Sequence, residues 1–360
     1  MPPRPLPTLA AIEPYKAGEA VLPGFDKPIK LASNENPLGA SPKAQAAYAE
    51  AAATLNLYPD PSSAGLRRAI ADRYGLDPER IICGAGSDEI FQLLGRAYLT
   101  AGDEIVQSEF AFLVYRLVAQ QSGATVKTAK DIDFVVDVDA MLALVGPKTK
   151  IVFLANPNNP TGTYLPIEAV RRLHAGLPED VLLVLDGAYA EYVRRNDYAA
   201  GVELVSEFDN VVMTRTFSKI HGLAGARVGW AYAPAHVIDA LHKVRGPFNV
   251  AAAAQAAAIA AIGDSDFMAR AVETNAAELA RVASELSALG LRVTPSVCNF
   301  LLVHFDGEAK ARAVDAHLRS RGLIVRAVAG YGLPAALRIS IGMAAENAAL
   351  IAAMREFFAS

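Results

Sequence analysis

The chain has 360 residues, of which 52% are hydrophobic and 20% charged, and its formal net charge is −4. This composition supports a large packed core and excludes a disordered chain, and the absence of a basic run makes nucleic acid an unexpected partner. The two cysteines, Cys83 and Cys298, lie far apart and the start carries no apolar signal core, so we expect no disulfide framework and a cytoplasmic protein.

Residues 1–30 are rich in proline and glycine, and we expect them to form an N-terminal arm. From about residue 40 to residue 250, short apolar β-like runs alternate with helical stretches. Continuous apolar strands between helices predict an α/β fold, in which helices cover both faces of a mostly parallel sheet. The predicted strands are 104–107, 150–155, 181–186, 211–216 and 228–233, and helices are expected at 87–99 and 166–176.

The C-terminal part has a different order of elements. Its longest apolar stretch, residues 250–263, is Ala-rich and broken by Gln255, so it predicts a packed helix and no membrane span. The pattern predicts three domains: an arm (1–30), a large domain (31–262) and a smaller α+β domain (263–360). In the last of these we expect helices at 264–289, 308–321 and 344–359, and strands at 299–305 and within 322–328 and 336–342.

Polar side chains follow three of the predicted strands, at the point where each strand ends. Asn159 stands in NPNNPTG, Asp186 and Tyr189 stand in DGAY, and Lys219 closes TFSK. Because the carboxyl ends of parallel strands meet at one edge of a sheet, we expect these residues to share a crevice there.

A lysine amine in such a crevice can form a Schiff base with a carbonyl cofactor, and the surrounding residues suit pyridoxal phosphate (PLP). Asp186 fits as the carboxylate that keeps the pyridine nitrogen protonated. Asn159 and Tyr189 fit as donors to the ring oxygen beside the imine. Phe112 is a candidate for the aromatic side chain that covers the ring face.

A phosphate group needs hydroxyls, an arginine and the free amides at a helix N-terminus. The hydroxyls of Thr216 and Ser218 flank the lysine in sequence, and Arg227 follows it eight residues later. The glycine-rich segment CGAGSDEI (83–90) runs into a predicted helix and offers the amides of Gly86, Ser87 and Asp88. Each residue alone has an ordinary explanation as a turn, cap or surface residue, but their combined order favours a cofactor site.

Six motifs together resemble the fold-type-I PLP-dependent aminotransferases of the class-II subfamily, and most of all the histidinol-phosphate aminotransferases. The resemblance runs from about Tyr15 to the C-terminal helix. It implies the type-I PLP-dependent transferase fold and a homodimer with its active site at the subunit interface. The motifs are SNENP (33–37), YPDP (58–61), NPNNPTG, DGAY, TFSK…GLAGAR and GYG…LRISIG.

The resemblance also assigns roles to the cofactor residues. Lys219 would be the Schiff-base lysine and the acid/base of the proton shift, and Asp186 would pair with the pyridine nitrogen. Asn159 and Tyr189 would contact the ring hydroxyl. Tyr58 would reach the cofactor phosphate of the neighbouring subunit.

For the substrates, the resemblance implies two arginines in the smaller domain, Arg338 and Arg326, which would bind anionic groups. Tyr15 in the arm would lie near the substrate phosphate, and Asn34 and Asn159 would lie near the substrate in the same crevice. The sequence departs from relatives at two positions. Phe112 stands where a tyrosine is frequent, and His221, near the lysine, stands where an aromatic residue is frequent.

The implied activity belongs to histidine biosynthesis, a branch of amino-acid biosynthesis. It interconverts histidinol phosphate and 2-oxoglutarate with imidazole-acetol phosphate and glutamate. An aromatic amino-acid aminotransferase is the main alternative, and a decarboxylase of a phosphorylated amino acid is another. A non-catalytic PLP-binding module is disfavoured, because a binder needs no carboxylate at the ring nitrogen. No metal is expected, since residues 131–139 lack the glycine and final glutamate of a calcium loop.

Overall fold

The computed structural model of the protein describes residues 3–9, 12–13 and 18–359. The arm residue Tyr15 lies outside the described residues. Within them the strands are β1 Ile29–Lys30, β2 Ile81–Gly84, β3 Glu104–Ser108, β4 Thr125–Ala129, β5 Thr149–Ala155, β6 Leu182–Asp186, β7 Val211–Thr216, β8 Gly229–Tyr232, β9 Arg292–Thr294, β10 Phe300–His304, β11 Leu323–Ile324, β12 Arg326–Ala327 and β13 Ala336–Ser340.

The α-helices alternate with the strands through most of the chain. No helix in the described part is long and apolar enough to cross a membrane. The helices are α1 Pro42–Glu50, α2 Ala64–Tyr74, α3 Ser87–Tyr98, α4 Leu113–Gln121, α5 Val138–Leu142, α6 Ile167–Ala175, α7 Val202–Glu207, α8 Ala235–Val244, α9 Ala252–Ile262, α10 Ser265–Ala288, α11 Glu308–Ser320 and α12 Ala344–Ala359.

A seven-stranded sheet organises the larger part of the chain, in the order β2-β8-β7-β6-β5-β3-β4. All neighbouring pairs in it are parallel except those that involve β8, which is antiparallel to both β2 and β7. The carboxyl ends of β2, β3, β5, β6 and β7 therefore meet at one edge. The segment that enters β8 starts from the same edge, because β8 runs in the opposite direction.

The apolar strands of this sheet are buried on both faces. Along β5, Val152 packs into one hydrophobic cluster and Phe153 into another, and along β6 Leu183 and Val184 divide in the same way. Successive side chains of a strand point to opposite faces, so a strand covered on both sides must be apolar throughout. This explains the uninterrupted hydrophobic runs in the sequence and confirms the predicted α/β class.

A smaller antiparallel sheet, in the order β12-β13-β10-β9, packs against α10, α11 and α12. The first described strand joins this part of the molecule, because β1 pairs in parallel with β11 and the Leu31 carbonyl accepts a hydrogen bond from the Ser340 amide. Residues 29–31 thus lie beside the smaller sheet. The proposed division into an arm and two domains stays a prediction.

The predicted strands and helices named above agree with the structure to within a residue or two at each end, apart from the region 322–328. That region forms two short strands, β11 and β12, which pair with different partners. The apolar pattern does not indicate β4, since this edge strand reads TVKTA and only its last residue, Ala129, is buried. Its position depends on pairing with β3 and not on its own hydrophobicity.

We expect Gly222→Ala to lower the free energy of unfolding by roughly 2 kcal/mol or more, because an added Cβ would lie 2.0 Å from the Gly39 carbonyl oxygen and the residue has a φ of +68°. Gly225→Ala is the matched control, since no heavy atom lies within 4 Å of its added Cβ. Urea denaturation of both variants measures the difference. Equal midpoints would show that the contact between residues 39 and 222 does not constrain the fold.

Candidate active site

A cleft opens at the carboxyl edge of the seven-stranded sheet and is closed on its other side by the smaller sheet. Residues that follow β3, β5, β6 and β7 line it, as expected from the parallel topology. The structure thus brings together most of the predicted site residues: Asn34, Ser87, Asp88, Phe112, Asn159, Asp186, Tyr189, Thr216, Ser218, Lys219, Arg227, Arg326 and Arg338.

Asp186, the last residue of β6, is a buried carboxylate with 5% of its surface exposed. Its Oδ2 accepts a hydrogen bond from the Tyr115 hydroxyl at 2.6 Å, and its Oδ1 accepts bonds from the Ala188 amide at 3.1 Å and the Thr214 hydroxyl at 3.5 Å. All three donors are uncharged. Burial raises the pKa of Asp186 to about 6 despite these bonds, since a buried anion loses its hydration.

Lys219 follows β7 and its amine donates a hydrogen bond to the Ser33 carbonyl at 3.2 Å. Burial in the cleft lowers the pKa of this amine to about 8, and the positive charge of Arg338 adds to the effect. A larger fraction of the amine is therefore neutral, and able to act as a nucleophile or base, than in an exposed lysine near neutral pH.

Tyr189 is held by a network that reaches across to the smaller sheet. The Asn34 side chain donates from Nδ2 to the Tyr189 hydroxyl at 2.9 Å. The Ser340 hydroxyl accepts a hydrogen bond from the Asn34 backbone amide at 2.8 Å and donates one to Asn34 Oδ1 at 3.0 Å. These bonds fix the orientation of the Asn34 side chain. Because its oxygen already accepts from Asn34, the Tyr189 hydroxyl keeps its own proton for a group in the cleft.

Arg338 is buried on β13 and joins the two sheets. It donates from Nη1 to Asn159 Oδ1 at 2.5 Å and from Nη2 to the Ala32 carbonyl at 2.8 Å. Its Nε is buried and makes no hydrogen bond with any described residue. Arg326 of β12 lies directly opposite Arg338 in the antiparallel register, so both arginines line the same end of the cleft.

Arg227 lines the cleft beside the first turn of α3. It has a φ of +53°, which is strained for a residue with a side chain, and donates to Ser218 Oγ at 3.3 Å and to Asp88 Oδ2 at 3.2 Å. Gly86 has a φ of +85°, a left-handed backbone conformation that favours glycine, and it lies against the Arg227 guanidinium. The Gly86 amide already donates to the Gly84 carbonyl at 2.8 Å. The Gly86 amide is therefore engaged within its own turn in this structure, and the phosphate role of Gly86, Ser87 and Asp88 stays a prediction.

Residues 26–354 match the family model described as aminotransferase class I and II. The chain belongs to this family. The family and the fold that the sequence motifs led us to expect are thereby confirmed.

Individual members of the aminotransferase family are similar over almost the whole chain. The histidinol-phosphate aminotransferase of Maricaulis maris is 56% identical over 96% of this chain and 96% of its own length. That of Paramagnetospirillum magneticum is 51% identical over 99% of this chain and 98% of its own length. The crystal structure of histidinol-phosphate aminotransferase from Sinorhizobium meliloti, in complex with pyridoxal-5'-phosphate, superposes with a TM-score of 0.92. It is 32% identical to this chain and covers 99% of this chain and 98% of its own.

Tyr58 does not line the cleft of its own chain. Its side chain is 82% exposed and stacks on Phe248, with ring centroids 4.5 Å apart. His221 is buried, does not line the cleft, and packs against Phe217 with ring centroids 4.8 Å apart and planes tilted by 37°. Burial lowers the pKa of His221 to about 4, so it is a neutral residue of the core at physiological pH.

The sequence-based predictions did not include Tyr115 and Ser340. These two residues form hydrogen bonds to the predicted site residues Asp186 and Asn34. Tyr115 stands three residues after Phe112 in the apolar helix α4, and Ser340 stands two residues after Arg338 on β13. The spacing of Ser340 from Arg338 places both on one face of the strand, which is a usable signal. Tyr115 gives no comparable signal, because its partner Asp186 is 71 residues away.

We expect the labelling of Lys219 by an amine-selective acylating reagent to rise around an apparent pKa of about 8 in ligand-free protein. The reason is the loss of hydration of the ammonium form in the cleft. Peptide mass spectrometry over a series of pH values measures this, with the exposed Lys130 as an internal standard for reagent decay. A curve that rises only near the ordinary lysine value of about 10.4 would contradict the expectation.

Proposed function

We propose that this chain is a PLP-dependent aminotransferase of histidine biosynthesis, which interconverts histidinol phosphate and 2-oxoglutarate with imidazole-acetol phosphate and glutamate. The observation that carries the proposal is one cleft that contains an amine of lowered pKa, Lys219, a buried carboxylate, Asp186, and two opposed arginines. Two relatives with this activity in their names are 51% and 56% identical over nearly the whole chain. We further propose that it acts in the cytoplasm.

The residues present fit PLP. Asp186 is a buried anion whose hydrogen-bond donors are all uncharged, so a protonated ring nitrogen would supply the positive charge that its surroundings lack. The same cleft contains a set of donors suited to a phosphate: Arg227, the Ser218 hydroxyl, the Thr216 hydroxyl and the amides of α3.

In this arrangement Lys219 would bind the cofactor aldehyde, Asp186 its ring nitrogen, and Asn159 and Tyr189 its ring hydroxyl, while Phe112 would cover the ring face. When bound, PLP supplies a ring that withdraws electrons from the amino-acid carbon as a proton leaves it. The residues of the chain supply binding, orientation and proton transfer.

Lys219 is suited to move that proton, because an amine with a pKa of about 8 is readily protonated and deprotonated near neutral pH. Lys219 lines the cleft after β7, and its hydrogen bond to the Ser33 carbonyl holds Nζ there. Asp186 remains the ionised partner of the ring nitrogen above its own pKa of about 6. We therefore expect the reaction to need Asp186 ionised and part of the Lys219 population neutral.

Both proposed amino donors carry an anionic group, glutamate a carboxylate and histidinol phosphate a phosphate. Arg338 lines the cleft, and its buried Nε has no hydrogen-bond partner among the described residues. Arg326 lies opposite and lines the same end of the cleft. Guanidinium groups bind carboxylates and phosphates in the same two-pronged geometry, so one pair of arginines serves both substrates in turn. Asn34 and Tyr15 are proposed to lie near the substrate, on the family pattern.

We also propose that the chain forms a homodimer with its active sites at the interface. Several large apolar side chains are exposed around the α1–α9 contact, where Tyr58 stacks on Phe248. A monomer rarely exposes such a patch without a partner, and a second copy of the same surface would cover it. The exposed residues are Tyr48, Leu55, Leu57, Tyr58, Phe248 and Ile259.

The substrate assignment is tested by comparing kcat/KM for histidinol phosphate and for phenylalanine on one preparation. We expect histidinol phosphate to be preferred, and Arg326→Ala to lower its kcat/KM roughly 10- to 100-fold through loss of a charge-assisted hydrogen bond. Lys219→Ala should abolish transamination of both. A preference for phenylalanine would support the aromatic aminotransferase instead, and release of carbon dioxide when a phosphorylated amino acid is supplied would indicate a decarboxylase.

The interface role of Tyr58 is tested by mixing two defective homodimers, Tyr58→Ala and Lys219→Ala, under conditions of subunit exchange. If Tyr58 serves the neighbouring subunit, each mixed dimer has one intact site, and roughly a quarter of wild-type activity should return. Native mass spectrometry confirms that mixed dimers form. Mixed dimers without recovered activity would place Tyr58 outside the neighbour's site, and a fully active Tyr58→Ala homodimer would remove it from the site altogether.

A further inference from the structure

Tyr115 lies behind the lining of the cleft and contacts two of the residues that form it, Asp186 and Phe112. Its side chain is fully buried, and its hydroxyl donates to Asp186 Oδ2 at 2.6 Å. Its ring stacks on Phe153 with centroids 4.6 Å apart and planes at 6°, and it meets the ring of Phe112 edge to face at 5.8 Å and 85°. Tyr115 therefore touches the carboxylate with its oxygen and the aromatic cover with its ring.

The direction of this hydrogen bond follows from the two pKa values. Burial and the Asp186 charge raise the pKa of Tyr115 well above its ordinary value, so the phenol keeps its proton and donates it. A separation of 2.6 Å is typical of an O–H donor bonded to an ionised carboxylate. The opposite oxygen, Oδ1, is held by the Ala188 amide and the Thr214 hydroxyl. Bonds on both oxygens stop the carboxylate from rotating.

We propose that Tyr115 is a positioning residue for the cofactor, whose hydroxyl keeps Asp186 ionised and oriented toward the ring nitrogen while its ring supports Phe112. This inference rests on the proposed function, since it assigns Asp186 to the ring nitrogen of PLP. In support, the bond from Tyr115 is the largest effect that opposes burial in setting the pKa of Asp186 at about 6, whereas the nearby charge of Asp88 acts with burial to raise it.

Two substitutions separate the two parts of this role. Tyr115→Phe removes the hydroxyl and keeps the stacked ring, so it tests the bond to Asp186 alone. Tyr115→Leu removes the aromatic ring as well, and with it the edge contact to Phe112. Tyr98→Phe is the matched control, because it removes a partly buried tyrosine hydroxyl from the neighbouring helix α3.

The experiment measures the dissociation constant of PLP as a function of pH in the full-length Lys219→Ala background, where binding is reversible and contains no covalent bond. With Tyr115 present, affinity should fall on acidification as Asp186 takes up its proton near pH 6. Without the hydroxyl, the carboxyl pKa rises, so the fall should begin at a higher pH. The phosphate of PLP titrates alike in all variants, and the shift between curves therefore reports on Asp186.

We expect Tyr115→Phe to weaken PLP binding about 10-fold at pH 7, equivalent to about 1.4 kcal/mol, with partial recovery at higher pH. Tyr115→Leu should weaken it further at every pH, and Tyr98→Phe should leave both affinity and profile unchanged. A Tyr115→Phe profile that superposes on its parent would overturn the proposal. Thermal unfolding of the ligand-free variants identifies any loss of folding. A parent protein that binds no PLP at any pH would instead refute the proposed function, independently of Tyr115.

Discussion

The site depends on one buried negative charge, the carboxylate of Asp186 at the end of β6. Burying an ionised carboxylate is unfavourable unless hydrogen bonds or an opposite charge compensate, and here three elements contribute uncharged donors. Tyr115 comes from α4, Thr214 from β7, and the Ala188 amide from the turn after β6. This compensation is partial, as the pKa of about 6 shows. A cationic ligand group would therefore stabilise the Asp186 carboxylate, and the protein has an affinity for such a group before any ligand binds.

The other half of the site comes from a different sheet, so its geometry depends on how two sheets lie against each other. Arg338 of β13 bonds to Asn159 beyond β5, and Ser340 of β13 orients Asn34, which in turn bonds to Tyr189. These bonds tie the proposed substrate arginine to the residues proposed to hold the cofactor ring. A shift of the smaller sheet would therefore alter the polarity around the ring oxygen as well as the position of the substrate anion.

Much of this arrangement could be predicted from sequence, for a topological reason. Once apolar strands alternate with helices, the residues after each strand must gather at one edge, so Asn159, Asp186 and Lys219 could be placed together without a structure. Contacts between residues that have no regular spacing in the sequence could not be predicted in this way. The bond from Tyr115 to Asp186 joins positions with no periodic relation, and the internal bond of the Gly86 amide depends on the detailed path of its turn. The role proposed for Tyr58 would involve a second copy of the chain, and it rests on the family resemblance alone.

The reversed direction of β8 has a consequence for how the loop before it can vary. The chain leaves β7 at the carboxyl edge of the sheet, continues through Lys219, and enters β8 at the same edge just after Arg227. The Lys219 amine and the Arg227 guanidinium therefore belong to one loop. That loop is pinned where Gly222 meets the Gly39 carbonyl and where Gly229 abuts the start of α3. Adding or deleting a residue between Gly222 and Gly229 would change the distance between the Lys219 amine and the Arg227 guanidinium. Length variation during divergence should therefore accumulate at the far edge of the sheet, while this stretch keeps its residue count.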